Sequence, residues 1–123
     1  MKVIHTENAP AAIGPYSQAI VTGSLVFTSG QIPLNPATGA IEAVTIEEQT
    51  EQVCKNIQAV LTAAGSSLEK VVKTVCFLSD MDNFAAFNAV YSKYFTGKPA
   101  RSCVAVKTLP RNVLVEVDTI AEI

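Results

Sequence analysis

The strongest constraint on the fold is a stretch of helical periodicity at residues 45–64, set among segments with strand character. The letters TIEE at residues 45–48 match a capping box, in which threonine and glutamate side chains satisfy the first free N–H groups of a helix. Gly65 provides a stop, because glycine readily adopts the left-handed conformation that follows many helices. An amphipathic helix of this length must bury one face against another layer. We expect that face to comprise Ile46, Gln49, Val53, Ile57, Val60, Leu61 and Ala64.

Short apolar and β-branched runs lie on both sides of this helix. Residues 18–21 and 25–29 flank the turn Thr22-Gly23-Ser24, a pattern that predicts a tight hairpin near the N-terminus. Residues 71–78 are rich in valine and predict a further strand. The helix is therefore expected to pack on a β-sheet.

A second helix is indicated by aromatic residues at helical spacing after residue 83. Asp80 and Asp82 are candidate caps at its start, and Gly97-Lys98-Pro99 ends it. An aromatic stripe of this kind usually belongs to a hydrophobic core rather than to a ligand site. Its members are Phe84, Phe87, Tyr91, Tyr94 and Phe95.

The order of these elements is hairpin, loop, helix, strand, helix and hairpin. It predicts an α+β fold in which a single domain, residues 1–123, has one mixed sheet with two helices packed on one face. The chain is 49% hydrophobic, which is enough for a real core. Its mean hydropathy of +0.31, without a long apolar run, indicates apolar surface beyond that core. We therefore expect a homo-oligomer.

Two charged residues interrupt otherwise apolar strand segments near the C-terminus. Arg101 begins the segment at residues 101–106, and Glu116 interrupts residues 113–117, with turn-forming Leu109-Pro110-Arg111-Asn112 between them. The simplest prediction is a hairpin whose valine faces are buried together. Residue numbers that face each other must then have an odd sum, for example Val106 opposite Val113 and Cys103 opposite Glu116. This register places Arg101, Cys103 and Glu116 on one face.

Two interpretations of this charged pair remain open. Arg101 and Glu116 could form a salt bridge within the sheet. Alternatively, the planar fork of Arg101 could bind a substrate carboxylate in a bidentate manner, while Glu116 holds a water molecule and takes its proton. The second arrangement suits attack of water on the carbon beside a carboxylate.

The cysteines and the missing sequence motifs argue against several other kinds of chemistry. Cys103 lacks a basic activator, since His5 is the only histidine and is remote in sequence, so a covalent role is disfavoured. No pattern typical of nucleotide or metal sites occurs, which removes the usual sequence evidence for nucleotide or metal chemistry. Cys54, Cys76 and Cys103 are odd in number and widely spaced, which favours reduced thiols over disulfides.

The charge distribution limits the partners and the location. The net charge is −2 and no basic run occurs, so nucleic acid is an unlikely partner. The N-terminal residues lack the apolar region of a secretory signal, and no segment has transmembrane length. We expect a cytoplasmic protein without membrane association.

Several spaced motifs resemble the RidA/YjgF family of reactive-intermediate deaminases. The resemblance runs essentially from end to end and includes Asn88 in the second helix. The matching segments read GPYSQA at residues 14–19, TSGQIP at 28–33, PARSCV at 99–104, LP at 109–110 and VE at 115–116.

This resemblance implies a chorismate-mutase-like α+β fold, a trimeric barrel assembly with clefts between subunits, and hydrolysis of 2-imino acids to 2-oxo acids and ammonia without a cofactor. Arg101 would bind the substrate carboxylate and Glu116 would position the water. Cys103 would meet the ligand through its backbone. Tyr16, Ser29 and Gly30 would form the opposite wall, contributed by the adjacent subunit, with Asn88 as a further neighbour.

Two other functions remain possible at this point. The same arginine could serve a non-catalytic module that binds 2-oxo acids for regulation. Some relatives also suggest RNA cleavage or inhibition of translation, although the acidic balance and the absence of a suitable histidine argue against it. The residues at 96–98 and Ala105 depart from the family pattern and could alter the preferred imine.

Overall fold

A computed structural model describes all 123 residues of the chain. The fold is a six-stranded mixed sheet with two α-helices packed on it. The predicted α+β architecture is therefore confirmed. The structure contains no helix with the length and hydrophobicity that a membrane span requires. The strands are β1 (Lys2–Ile4), β2 (Ala19–Thr22), β3 (Leu25–Thr28), β4 (Val71–Leu78), β5 (Ala100–Ala105) and β6 (Val115–Glu122), and the helices are α1 (Ile46–Ala63) and α2 (Phe84–Tyr94).

Helix α1 forms as its sequence predicts. The Thr45 side chain accepts a hydrogen bond from the Glu48 N–H, and the Glu48 side chain accepts one from the Thr45 N–H, which completes the capping box. Gly65 follows the helix with φ of 83°, a conformation that favours glycine. All members of the predicted apolar face are buried except Ala64, which is partly exposed. Local sequence therefore defines this element from end to end.

The N-terminal hairpin and the strand at residues 71–78 are also confirmed. Strands β2 and β3 pair antiparallel, with Thr22 opposite Leu25, so Gly23 and Ser24 form a two-residue turn.

The prediction that Asp80 and Asp82 cap helix α2 is wrong. Asp80 caps the short 3-10 turn that precedes the helix by accepting from the Asp82 N–H at 2.8 Å.

The predicted C-terminal hairpin does not form. The sheet order is β1-β2-β3-β6-β4-β5, so β4 separates β5 from β6. Strand β4 pairs parallel with β5 and antiparallel with β6, and Cys76 is the partner of both Cys103 and Val117. Alternate residues of β6 are fully buried, whereas no residue of β5 is. Strand β6, which buries one whole face, therefore occupies the interior of the sheet, and β5 forms its edge.

The observed strand order places the two charged residues, Arg101 and Glu116, on opposite faces of the sheet instead of on the same face. Paired residues of neighbouring strands project from the same face of a sheet. Arg101 pairs with Thr74 of β4, on the face that the helices cover. Glu116 pairs with Phe77 on the opposite face. The predictions that Arg101, Cys103 and Glu116 share one face, and that Arg101 and Glu116 could form a salt bridge, are therefore wrong.

The valine faces of the two segments are not buried together either. Val113, Val115 and Val117 are buried, the last two in the core beneath the helices, but Val104 is 47% exposed on the opposite face. That opposite face carries further apolar side chains with no cover within the chain, among them Phe27 at 39% and Val3 at 58% exposure. Part of the apolar surplus expected from the composition therefore lies on this uncovered sheet face.

Candidate active site

Glu116 lies in a cavity of about 420 Å³ on the uncovered side of the sheet. Three of the predicted site residues, Tyr16, Ser29 and Gly30, line the same cavity in the same chain. The family resemblance implies that Glu116 lies with Arg101 and that these three residues form the opposite wall. Within one chain that grouping is corrected, because Glu116 belongs with the wall of Tyr16, Ser29 and Gly30. Further lining residues are Pro10, Ala11, Gln18, Gln31, Ile32, Leu34 and Pro110.

Gly30 provides the space that the Glu116 carboxylate occupies. A Cβ at position 30 would lie 2.1 Å from Oε2 of Glu116. The two residues are brought together by an antiparallel bridge, in which the Gln31 N–H donates to the Val117 carbonyl at 2.8 Å and the Val117 N–H donates to the Gln31 carbonyl at 3.2 Å. The segment after β3 is thereby held against β6.

Ser29 and Gln18 attach the N-terminal part of the cavity wall to the sheet. The Ser29 hydroxyl donates to the Ser17 carbonyl at 2.5 Å, and the Ser29 N–H donates to the Gln18 carbonyl at 2.9 Å. The buried Gln18 side chain accepts from the Thr6 N–H at 2.7 Å and donates to the Pro10 carbonyl at 2.8 Å. These contacts hold the segment that carries Tyr16, whose side chain is 53% exposed.

The environment of Glu116 favours its protonated form. Burial is the main cause that raises the pKa of this half-buried carboxyl group, and the nearby charge of Asp118 raises it further. Asp118 lies two residues along β6 and therefore on the same face. Its own pKa is raised by burial as well. A carboxylate with a raised pKa is a stronger base than an exposed one.

Arg101 lies in a second group of predicted site residues, at the edge of the sheet. Its Nη1 donates to Oδ1 of Asn88 in α2 at 2.6 Å. The guanidinium carbon lies 4.9 Å from the ring centroid of Tyr91 and 5.4 Å from that of Phe84, within the range of cation–π contacts. Arg101 is an exposed residue. Most of the five guanidinium N–H donors are therefore available to a ligand.

A groove of about 350 Å³ runs beside Arg101, between α2 and the segment that leads into β5. Asn88, Tyr91 and Lys98 line it together with Arg101, so it holds two cationic side chains. Lys98 has φ of 52°. The groove is suited to anionic ligands.

Cys103 projects from the same sheet face as Arg101 and is half-buried against the core. Burial is the main cause that raises the pKa of its thiol, and the charge of Arg101 only partly opposes this. A protonated thiol is a weak nucleophile, which agrees with the expected lack of a covalent role. His5 is exposed just beyond β1 and lines neither cavity.

Sequence reasoning missed three contributors to the site. The helical spacing of the aromatic stripe predicts that Tyr91 and Phe84 belong to the core, yet both lie beneath the Arg101 guanidinium. The sequence shows Gln18 only as part of a motif, although its amide anchors the cavity wall. Gln18 is a buried amide next to an apolar strand, and such a group requires several hydrogen-bond partners. That requirement was the available signal.

Comparison with known proteins shows one family across nearly the whole chain. The family model described as endoribonuclease L-PSP matches residues 6–123. RutC family protein PH0854 of Pyrococcus horikoshii is 53% identical over 121 residues, which cover 98% of this chain and 96% of that protein.

Solved structures agree with this assignment. A crystal structure of YyfA from Yersinia pestis, described as a member of the conserved Rid protein family, is 50% identical with a TM-score of 0.96 and covers 99% of this chain and 98% of its own. E. coli TdcF, crystallised with bound serine, is 42% identical with a TM-score of 0.95, and the match covers 100% of this chain and 99% of TdcF. The chain therefore belongs to the RidA/YjgF family.

Proposed function

We propose that the protein hydrolyses small reactive 2-imino acids, such as 2-iminobutanoate and 2-iminopropanoate, to 2-oxo acids and ammonia. The observation that carries this proposal is that Arg101 and Glu116 are not paired with each other. Arg101 presents a largely free fork of donors beside Asn88, and Glu116 presents a carboxyl group with a raised pKa beside Gly30. Each group is therefore available to a ligand.

The roles of the residues follow from their chemistry. Arg101 binds the substrate carboxylate in a bidentate manner. Glu116 accepts a proton from water as the water oxygen bonds to C2 of the protonated imine. The resulting tetrahedral adduct takes the proton back from Glu116 on nitrogen. The C2–N bond then breaks, ammonia leaves, and loss of the hydroxyl proton gives the 2-oxo acid. Tyr16 and Ser29 offer hydroxyl groups, and Cys103 its backbone, to hold the ligand.

One complete site requires two copies of the chain in this proposal. Arg101 and Glu116 project from opposite faces of the same sheet, so the two groups of site residues belong to different surfaces. The uncovered face has exposed apolar side chains, including Phe27 and Val104. Burial of that face between copies in a homotrimer would place the Arg101 edge of one copy near the Glu116 cavity of the next. Closed cyclic assemblies repeat such an interface without leaving a free end.

Two alternatives remain to be separated from this function. TdcF was crystallised with serine, so a non-catalytic module that binds 2-oxo acids or amino acids is one of them. The name endoribonuclease L-PSP suggests the other. The net charge of −2 and the lack of a histidine at either cavity favour the imine over RNA as a substrate.

The test is an assay in which a dehydratase generates the imine from threonine or serine in situ. Release of 2-oxo acid and ammonia should be faster with the protein than without it. Arg101→Ala should abolish the acceleration. Because Arg101 is exposed, the melting temperature should change little. Lys55→Ala, at an exposed position of α1, is the matched control for loss of one positive charge and should retain full activity.

The opposite results identify the alternatives. Unchanged imine lifetimes together with saturable binding of 2-oxobutanoate would favour the binding module. Cleavage of RNA that survives repurification and is lost in Arg101→Ala would favour a nuclease. Full acceleration by folded Arg101→Ala would exclude the proposed site.

A further inference from the structure

The side chain of Tyr91 links the core of the protein to the proposed substrate arginine. Tyr91 is only 8% exposed, and its hydroxyl shares a buried hydrogen bond of 2.8 Å with the Thr74 hydroxyl. Thr74 lies on β4 and has no exposed surface. The Tyr91 ring also stacks against the Phe95 ring, with the centroids 4.5 Å apart, and lies against the tilted Phe87 ring at a centroid distance of 5.4 Å. The ring is therefore held in one orientation.

The same threonine is also the strand neighbour of Arg101. Thr74 and Arg101 are paired positions of the parallel strands β4 and β5. The contacts form a closed loop: the Arg101 backbone lies beside Thr74, the Thr74 hydroxyl bonds Tyr91, and the Tyr91 ring supports the Arg101 guanidinium at 4.9 Å. Asn88 then sets the rotation of the guanidinium plane through its bond to Nη1.

We propose that Thr74 and Tyr91 are positioning residues that hold the Arg101 guanidinium ready to bind the substrate carboxylate. This inference rests on the proposed function of Arg101. An exposed arginine samples many rotamers, and ordering them on binding lowers affinity. A rigid aromatic surface beneath the guanidinium imposes that order before the ligand arrives. Thr74 acts only through Tyr91, because it is buried away from the ligand.

The test compares four variants: Tyr91→Phe, Thr74→Val, the two combined, and Thr74→Ser. The double variant is the most informative, because it removes both hydroxyl groups and leaves neither one buried without a partner. Only the Cys76 thiol, a weak donor to the Thr74 hydroxyl at 3.8 Å, then loses its acceptor. It should fold normally and raise the Kd for 2-oxobutanoate and the KM for the imine about three- to tenfold, with a smaller effect on kcat. The two single changes should not be additive, since each breaks the same bond. Thr74→Ser keeps the hydroxyl and should therefore have the same Kd for 2-oxobutanoate as the unsubstituted protein.

A ligand-free measurement separates this inference from the proposed function. The Nε–H resonance of Arg101 should be ordered and shifted by the Tyr91 ring, and it should become mobile in the double variant but not in Thr74→Ser. If the protein neither binds 2-oxobutanoate nor hydrolyses imines, the proposed function fails and the resonance still reports on positioning. An equally ordered Arg101 in the double variant, or an unchanged Kd alongside a lowered melting temperature, would show that the pair is merely structural.

Discussion

Gly30 faces Glu116 so closely that no side chain fits between them: a Cβ on Gly30 would lie 2.1 Å from Oε2 and 2.9 Å from the carboxyl carbon. The obstructing atoms belong to the end of a flexible side chain rather than to the backbone. A larger residue at position 30 would therefore move the carboxylate while leaving the fold in place. A substitution at Gly30 can therefore test the position of the Glu116 carboxylate without a large loss of protein stability.

Gly30→Ala should lower the rate of imine hydrolysis at least about tenfold, because the displaced Glu116 carboxylate no longer meets the water at the required position. The melting temperature should change by only a few degrees. A second substitution, Glu116→Asp, shortens the acidic side chain by one methylene and should recover part of the activity in the Gly30→Ala background. A Gly30→Ala variant with full activity would show that the position of the carboxylate is not critical.

Mixed oligomers should recover activity that neither parent has. Arg101→Ala and Glu116→Gln should both be inactive as separate proteins. When the two are unfolded and refolded together at equal amounts, about one quarter of the sites should contain an intact arginine from one copy and an intact glutamate from another. Mixing the two proteins after separate assembly is the control. Refolded mixtures that stay inactive would contradict a site shared between copies.

The activity should have an acidic limb that reports the raised pKa of Glu116. A base must be ionised, so the rate should fall as the pH drops through that pKa, which lies above its ordinary value of 4.5. Asp118→Asn removes a neighbouring negative charge and should move this limb to lower pH. The measurement is kcat/KM against pH for both proteins. An identical limb in Asp118→Asn would show that Asp118 does not influence the active carboxylate.

The stability should respond to pH in the opposite sense. A carboxyl group whose pKa is higher in the folded state binds more protons there than in the unfolded chain. The free energy of unfolding should therefore fall as the pH rises from the ordinary carboxyl pKa through the raised one. Glu116→Gln should weaken this dependence. Urea unfolding at several pH values and one fixed protein concentration gives the slope, and an unchanged slope would be evidence against a buried, ionisable Glu116.

Gln18 should be important for stability although it is polar. Its amide group bonds the backbone of Thr6 and Pro10, and Gln18→Leu would leave these partners without hydrogen bonds at a buried position. The expected loss is about 1–3 kcal/mol of unfolding free energy. Gln58→Leu, at an exposed position of α1, is the matched control and should change stability by less than about 0.5 kcal/mol. Equal effects of the two substitutions would contradict the anchoring role.

Much of the fold was predictable because its signals are local. Thr45 and Glu48 define the start of α1 through atoms three residues apart. Gly23 and Ser24 define the first hairpin turn in the same way. The C-terminal hairpin was predicted from equally local cues, Pro110 among them, and was wrong. Turn-forming residues indicate that the chain changes direction, but they do not show whether another strand lies between the two segments.

The sequence was sufficient to single out candidate site residues, but not to predict how they are arranged in space. Arg101 and Glu116 stand out as charges in apolar segments, and the motifs around them are specific enough to indicate the family. Tyr91 could not be distinguished from an ordinary core aromatic, because its contact with Arg101 joins residues on different elements. Its hydrogen bond to Thr74 is equally non-local.

Capping, periodicity and turn preferences act over a few neighbouring residues, so the amino-acid sequence alone is enough to predict the two helices, the strand at residues 71–78 and the first hairpin. The position of β4 between β5 and β6 is established only when the whole sheet assembles. Backbone hydrogen bonds can join any two strands, so the order depends on which strand gains most from burial. The alternately buried β6 took the interior position and the exposed β5 the edge. That outcome placed Arg101 and Glu116 on opposite faces of one chain.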